Sequence, residues 1–307
     1  MSGRKSSILI ALLLCSCMAH SAEVGNKHAL VFLSDFGLTE RFVASMKGVA
    51  MSVDPNLQLH DLTHQIEPFN VWQASYMLAG TIDYWPKGTV FVSVVDPGVG
   101  TDRKSVVLQT ASGHFVVTPD NGSLTLVADR QGIVALREID ESVNRLRGSE
   151  DFHTFDGRDV YSYTGARLAA GVITFDGVGP LLEPRVKQLP YQRPALVADG
   201  VMVGNVVHVE KPFGNIVTNI PRALMADLGV TTEDHADVLV EISHSGQTVF
   251  SKKVPYVTTF GQVALGTPML YADSLRTMGL AVNNGDFSAQ YDISAGADWN
   301  IRLTRLP

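Results

Sequence analysis

Apolar residues follow two rhythms along the first half of the chain. Residues 29–33 form an unbroken apolar run, as a strand buried on both faces requires. Phe42, Val43, Met46, Val49, Ala50 and Val53 then recur three and four apart, the spacing of one helix face. The alternation continues: strands are predicted over 57–62, 89–95, 106–108, 114–117 and 133–139, and helices over 71–85, 124–130 and 159–170. This order predicts an α/β domain over 27–183 with a largely parallel central sheet. Pro184, Pro190 and Pro194 mark 184–196 as a linker. Beyond it the period is mostly that of strands: 201–209, 238–242, 248–254, 279–282 and 299–303. His244-Ser245-Gly246-Gln247 between two of them is a hairpin signal. Only 221–228 reads as helix, with Pro221 at its start. Residues 197–307 are therefore expected to form a smaller all-β, barrel-like domain.

Composition adds limits. Of 307 residues, 45% are hydrophobic and 18% charged, enough for a real core. The net charge of −7 argues against nucleic acid or anionic lipid as partner and suits a cationic small substrate. Arg4, Lys5, an apolar run over 8–19 and His20-Ser21-Ala22 follow the grammar of a signal peptide over 1–22, predicting export to the periplasm or beyond. The run is short for a membrane span. Leu14-Cys15-Ser16-Cys17 also resembles a lipoprotein box, with Cys17 as the lipidated residue. Both cysteines lie in this segment, so the rest of the chain is expected to hold neither a disulfide nor a thiol nucleophile.

The chemistry-bearing residues cluster in glycine-bearing turns beside predicted strands. They are Ser34-Asp35-Phe36-Gly37, Val95-Asp96-Pro97-Gly98-Val99-Gly100-Thr101 with Arg103, Pro119-Asp120-Asn121-Gly122, Asp156-Gly157-Arg158-Asp159, and Phe213-Gly214-Asn215-Ile216-Val217-Thr218-Asn219. An Asp-Gly turn is ordinary alone. Several in one α/β chain suggest a carboxylate-lined crevice at the strand ends. Together with Met46-Lys47-Gly48 and Asp61-Leu62-Thr63-His64, taken in order, they resemble the S-adenosyl-L-methionine (SAM) hydrolases, or SAM hydroxide adenosyltransferases, relatives of fluorinase and chlorinase. The resemblance runs from residue 29 to the C-terminus. It implies an α/β domain and a β domain, a homotrimer with sites between subunits, and attack of water on C5′ of SAM without a cofactor.

Residue by residue, the resemblance makes Asp96 and Arg103 members of the water-activating group. A third member, a histidine in the hydrolases, is replaced by Asp156. Three readings stay open: Asp96 and Asp156 share a proton and act as base, His153 takes the histidine's place, or hydrolysis is lost or altered. Asp35 matches the ribose-binding aspartate, a carboxylate able to accept from both hydroxyls. Phe69, Phe155 and Phe213 match rings that pack on the nucleoside and face the sulfonium. Asn215 matches an amide on the adenine or ribose. Glu210, and similarly Glu40, match acids facing the methionine ammonium. Ser274 is expected on the substrate carboxylate, and Asn283 and Asn284 on the adenine. Halogenation is disfavoured, because the Asp96 carboxylate would repel halide.

SAM is made in the cytosol, whereas the chain reads as exported. The substrate could then be SAM or another 5′-activated adenosine compound, or the chain could be an exported nucleoside-binding protein without hydrolase activity. Apart from the resemblance, Asp35, Asp96, Asp120 and Asp156 could hold a divalent metal for ester hydrolysis.

Overall fold

The structure is a computed structural model that describes residues 27–198, 200–233 and 236–306. Residues 1–22, expected from sequence to be a signal peptide or lipoprotein signal, lie outside the described residues. Strands β1 (Leu30–Ser34), β2 (Leu59–Thr63), β3 (Val90–Val94), β4 (Ser105–Thr110), β5 (Phe115–Pro119), β6 (Ile133–Glu138) and β7 (Leu181–Leu182) form one sheet, ordered β2-β1-β3-β5-β4-β6-β7. Pairing is parallel from β2 to β5, and β4 and β7 run against the rest. The solid apolar strands are explained by two covered faces. Leu30, Phe32, Val92 and Val94 pack with Met46 and Ala50 of α1 (Phe42–Val53) and with Ala166. Val31, Leu33, Phe91 and Val95 pack with Ala74 and Leu78 of α2 (Val71–Thr81) and Val127 of α3 (Thr125–Gln131).

The sequence misses a short α4 (Glu141–Asn144) and places one long helix where there are two pieces. Gly157–Ser162 is a π-helical turn that runs into α5 (Tyr163–Ala169). The Ser162 hydroxyl donates to the Gly157 carbonyl at 2.7 Å and supports that wide turn. Gly165 lets α5 lie close to β3, since a Cβ there would stand 2.5 Å from a Val92 methyl.

The second sheet holds β8 (Ala195–Ala198), β9 (Val201–Glu210), β10 (Asn215–Pro221), β11 (Asp237–His244), β12 (Gln247–Pro255), β13 (Pro268–Ala272), β14 (Thr277–Val282) and β15 (Trp299–Arg305). All neighbours are antiparallel in the order β12-β11-β15-β9-β10-β14-β13, with β8 beside β9. Tyr256 bridges to Leu270 past the end of β12, bringing the two edges together as a near-barrel. The β11–β12 hairpin turns on Ser245 and Gly246, both at positive φ, as a two-residue hairpin favours. Pro221 ends β10 rather than opening a long helix, and α6 is only Leu224–Asp227. A further short helix, α7, covers Phe287–Tyr291.

The stretch 184–196 is an extended strap. Lys187 N–H donates to Asp120, Leu189 N–H to the Thr125 hydroxyl and Tyr191 OH to Asp129. Across the junction Trp72 Nε1 donates to the Val207 carbonyl at 2.9 Å, and Tyr76 stacks on His208 at 4.4 Å. Among the described residues no helix is long and apolar enough to cross a membrane.

Candidate active site

Neighbouring parallel strands β1 and β3 end side by side, and each delivers an aspartate just past its carboxyl end. Asp35 follows β1 and Asp96 lies two residues past β3. This is where open α/β sheets gather ligands. The hollow there encloses about 360 Å³ and is lined by Asp35, Phe69, Asp96, Phe155 and Asp156 among others.

Asp96 is fixed by its own turn and by Arg103. Its Oδ1 accepts from Gly98 N–H at 3.3 Å, and Arg103 Nε and Nη2 donate to its Oδ2 at 2.9 and 2.6 Å. The same Nη2 donates to Asp156 Oδ2 at 2.8 Å. Asp156 stands at the start of the π turn, and its other oxygen accepts from Arg145 Nη2 at 2.9 Å. The side chains of Asp96, Arg103, Asp156 and Arg145 are 6%, 12%, 5% and 5% exposed, so this alternating row of charges is largely dry. Burial alone would lower the Arg103 pKa, but hydrogen bonds to Asp96 and Asp156 raise it above its ordinary value. The Arg103 guanidinium also lies 5.8 Å over the Tyr161 ring.

This geometry corrects two readings. Asp96 and Asp156 are not hydrogen-bonded to each other as a proton-sharing pair would be: both accept from the same Arg103 Nη2. His153 does not take the histidine's place in the row: it is exposed, and its Nδ1 lies 3.2 Å from Arg145 Nη2, behind Asp156. The four-aspartate metal reading also fails. Asp120 accepts from the Lys187 backbone, Arg103 bridges two of the others, and among the described residues no three acidic, histidine or cysteine side chains converge as metal ligands would.

Asp35 accepts from Phe69 N–H at 2.8 Å. Burial raises its pKa above the ordinary carboxylate value, and the Asp96 charge adds to this, against the opposing Phe69 hydrogen bond. Phe69 sits at φ 66°, a left-handed backbone that a bulky residue adopts only at some cost, and the residue is 70% exposed. The floor is a cluster of Phe36, Phe42 and Phe155, with centroids 5.3–5.7 Å apart. Only Phe155 of these three was picked from sequence, and nothing in sequence singled out Arg145.

Apart from Glu40, the remaining sequence candidates lie on the β domain. Glu210, Phe213, Asn215, Ser274 and Asn284 line a second hollow of about 670 Å³, together with Phe260, Tyr271 and Asp286. Asn215 Nδ2 donates to Glu210 Oε2 at 3.0 Å. Gly214, at φ 68°, presses against Asp286 so closely that any side chain there would collide with it. Phe213 is 67% exposed. Asn283 is a correction: its amide donates to the Val263 carbonyl at 2.8 Å and it is absent from the lining. Glu40 is exposed and lines neither hollow.

The family model described as the SAM hydroxide adenosyltransferase N-terminal domain matches residues 30–179, and that of the C-terminal domain matches 204–300. A protein named (R)-S-adenosyl-L-methionine hydrolase from Thermus thermophilus is 34% identical over 260 residues, 83% of this chain and 91% of that one. One of the same name from Methanocaldococcus jannaschii is 34% identical over 219 residues, 70% of this chain and 73% of that protein. A fluorinase from Actinoplanes sp. is 27% identical over 290 residues, 87% and 95% of the two chains. The crystal structure of an uncharacterized conserved protein from Thermotoga maritima superposes with a TM-score of 0.79 at 34% identity, covering 90% of this chain and all of that one.

Proposed function

The chain belongs to the SAM hydroxide adenosyltransferase family, and from that premise we propose that it hydrolyses S-adenosyl-L-methionine to adenosine and L-methionine. The observation that carries this reading is Arg103 gripping both Asp96 and Asp156 at an aromatic-floored hollow whose other acid is Asp35. Asp35 would accept from the ribose hydroxyls. The Phe36, Phe42 and Phe155 rings would exclude bulk water and turn π faces to the sulfonium. Water is a weak nucleophile and gains most from alignment. Asp96, held still by Arg103, would orient one water against C5′ and accept its proton. The C5′–O bond forms as the C5′–S bond breaks, and the electron pair returns to sulfur. The products are adenosine, the neutral thioether of methionine and a proton passed to solvent.

The two hollows support a site shared between subunits of a homotrimer. Each carries part of the candidate contacts, and each exposes a large aromatic residue, Phe69 on one and Phe213 on the other. In that assembly Glu210, Asn215, Ser274 and Asn284 of one subunit would face the methionine and adenine ends of substrate seated on its neighbour. The charged start and apolar run within 1–22 support an exported enzyme, free or lipid-anchored, that meets its substrate outside the cytosol.

The test is incubation of the protein with SAM, with and without chelator, following adenosine and methionine by chromatography beside Asp96→Ala. Both products, insensitive to chelator and lost in the variant, are expected. Saturable nucleoside binding with no product would overturn hydrolysis.

A further inference from the structure

Three sequence segments that mark the family meet in space, and the catalytic row uses none of their meeting side chains. Lys47 of α1 donates to Asp61 Oδ2 at 2.6 Å. Asp61 Oδ1 lies 3.0 Å from His64 Nε2, and His64 Nδ1 lies 2.7 Å from the Ser34 hydroxyl. Ser34 directly precedes Asp35. The ring of His64 and the hydroxyl of Ser34 are almost wholly buried, so each polar atom needs its partner. Asp61 is held below the usual carboxylate range: burial opposes ionisation, but hydrogen bonds from Lys47 and His64 outweigh it. An ionised Asp61 only accepts, so His64 donates to it from Nε2, while Nδ1 is hydrogen-bonded to the Ser34 hydroxyl.

The backbone explains why these groups coincide. The β1–β2 register shifts between Phe32, opposite Asp61, and Leu33, opposite Thr63. The extra residue in β2 brings Asp61 and His64 together at the strand's end. His64 then holds the Asp35 turn twice, through Ser34 and through its carbonyl, which accepts from Gly37 N–H at 2.8 Å. The Ser34 hydroxyl in turn accepts from Phe36 N–H at 3.3 Å. The Asp35 carboxylate is fixed on its far side by Phe69 N–H.

We infer that the Lys47–Asp61–His64–Ser34 chain is a positioning device that sets the Asp35 carboxylate for the ribose diol, with His64 as its central positioning residue. The inference rests on the reading of the hollow as a nucleoside site. It places a determinant of nucleoside affinity at side chains that line neither hollow. Because the device acts on binding geometry, its loss raises KM far more than it lowers kcat.

Calorimetry with adenosine and with 2′,3′-dideoxyadenosine, which lacks the diol, tests this on the parent, His64→Gln and Asp61→Asn. Asp61→Asn removes a partly exposed group and keeps the protein folded should His64→Gln fail. The parent is expected to prefer adenosine, and each folded variant to lose roughly tenfold of that preference while dideoxyadenosine binds as before. KM for SAM should rise in parallel. A folded variant that keeps the full adenosine preference overturns the positioning role. A parent that shows no such preference overturns the nucleoside reading and the inference together, and an equal loss for both ligands marks the chain as merely structural.

Discussion

Replacing Arg145 by methionine removes the residue that anchors the catalytic row from behind. Arg145 Nη2 donates to Asp156 Oδ1 at 2.9 Å, and both side chains are 5% exposed. Arg145 also donates to Glu141 through Nε and Nη2, at 2.9 and 2.6 Å, and to the Phe152 carbonyl at 3.1 Å. Breaking a buried ion pair by removing one partner typically destabilises by about 3–5 kcal/mol. Here Asp156 keeps Arg103, and Glu141 is partly exposed and regains water. Methionine also refills much of the volume. The loss should therefore be smaller, about 2–3 kcal/mol, or roughly 3–5 °C in melting temperature for a chain of this size. Activity should fall more steeply than stability, because an Asp156 released on one side no longer holds Arg103 against Asp96. The expected pattern is a lower kcat with KM for SAM little changed, partly restored in Arg145→Lys, which returns the charge without the fork. Scanning calorimetry and steady-state kinetics read both effects. A variant that melts within a degree of the parent and keeps its kcat would refute the row as an energetic unit.

Three further outcomes follow from the same geometry. Asp35→Asn should raise the melting temperature near neutral pH while abolishing activity. The raised pKa of Asp35 means that its ionised form destabilises the fold above that pKa, so the gain should vanish in acid once the parent's Asp35 is protonated. Burial lowers His208 to about 4, with Lys211 adding to the shift, so the fold loses stability as pH drops from 6.5 through about 4. His208→Phe, which preserves the stack on Tyr76, should shift the acid unfolding midpoint downward, and an unmoved midpoint would count against burial of a neutral imidazole. Mixing inactive Asp96→Ala with inactive Asn215→Ala should restore part of the activity after subunit exchange, since some mixed sites would pair two intact hollows; no recovery would argue that each site lies within one chain.

Much of this was legible in the chain, for reasons that differ by region. The central strands β1 and β3 are covered on both faces, so each is a solid apolar run that stands out at once. The β domain was harder. β10 carries Thr218 and Asn219 inside a buried strand, and β13 opens on a proline, so neither reads as a long strand from pattern alone. The strand-end aspartates were visible because glycine turns advertise them. Arg145 was not, since it follows a single helical turn with no periodic signature, and its role exists only through a contact 11 residues ahead. Asn283 and Asn284 looked interchangeable in sequence. Backbone at φ 58° lets Asn284 line the hollow, whereas Asn283 donates to the Val263 carbonyl and is absent from the lining.

The charges around the first hollow also say what the site should bind. Arg103 and Arg145 pair with Asp96 and Asp156, and Arg145 also pairs with Glu141, so the acids around the first hollow outnumber their cations. That excess falls on Asp35, the acid with no cation of its own, whose ionisation burial and Asp96 both resist. A sulfonium arriving beside it would supply the missing counter-charge and favour the ionised form. Two unit charges about 5 Å apart at an effective dielectric constant near 20 interact by roughly 3 kcal/mol, enough to move an aspartate by about two pKa units. Cation binding must therefore release a proton wherever free Asp35 is still protonated, and affinity for the cation must climb with pH across that range. S-adenosylhomocysteine, the uncharged thioether with the same ribose and the same tail, should gain far less. Measured against a stable analogue with an ammonium-bearing carbon in place of the sulfonium, the preference for the cation should grow by roughly tenfold from acid to neutral pH. A preference flat with pH would mean that Asp35 does not sense the sulfonium, and that its charge plays no part in selecting a cation.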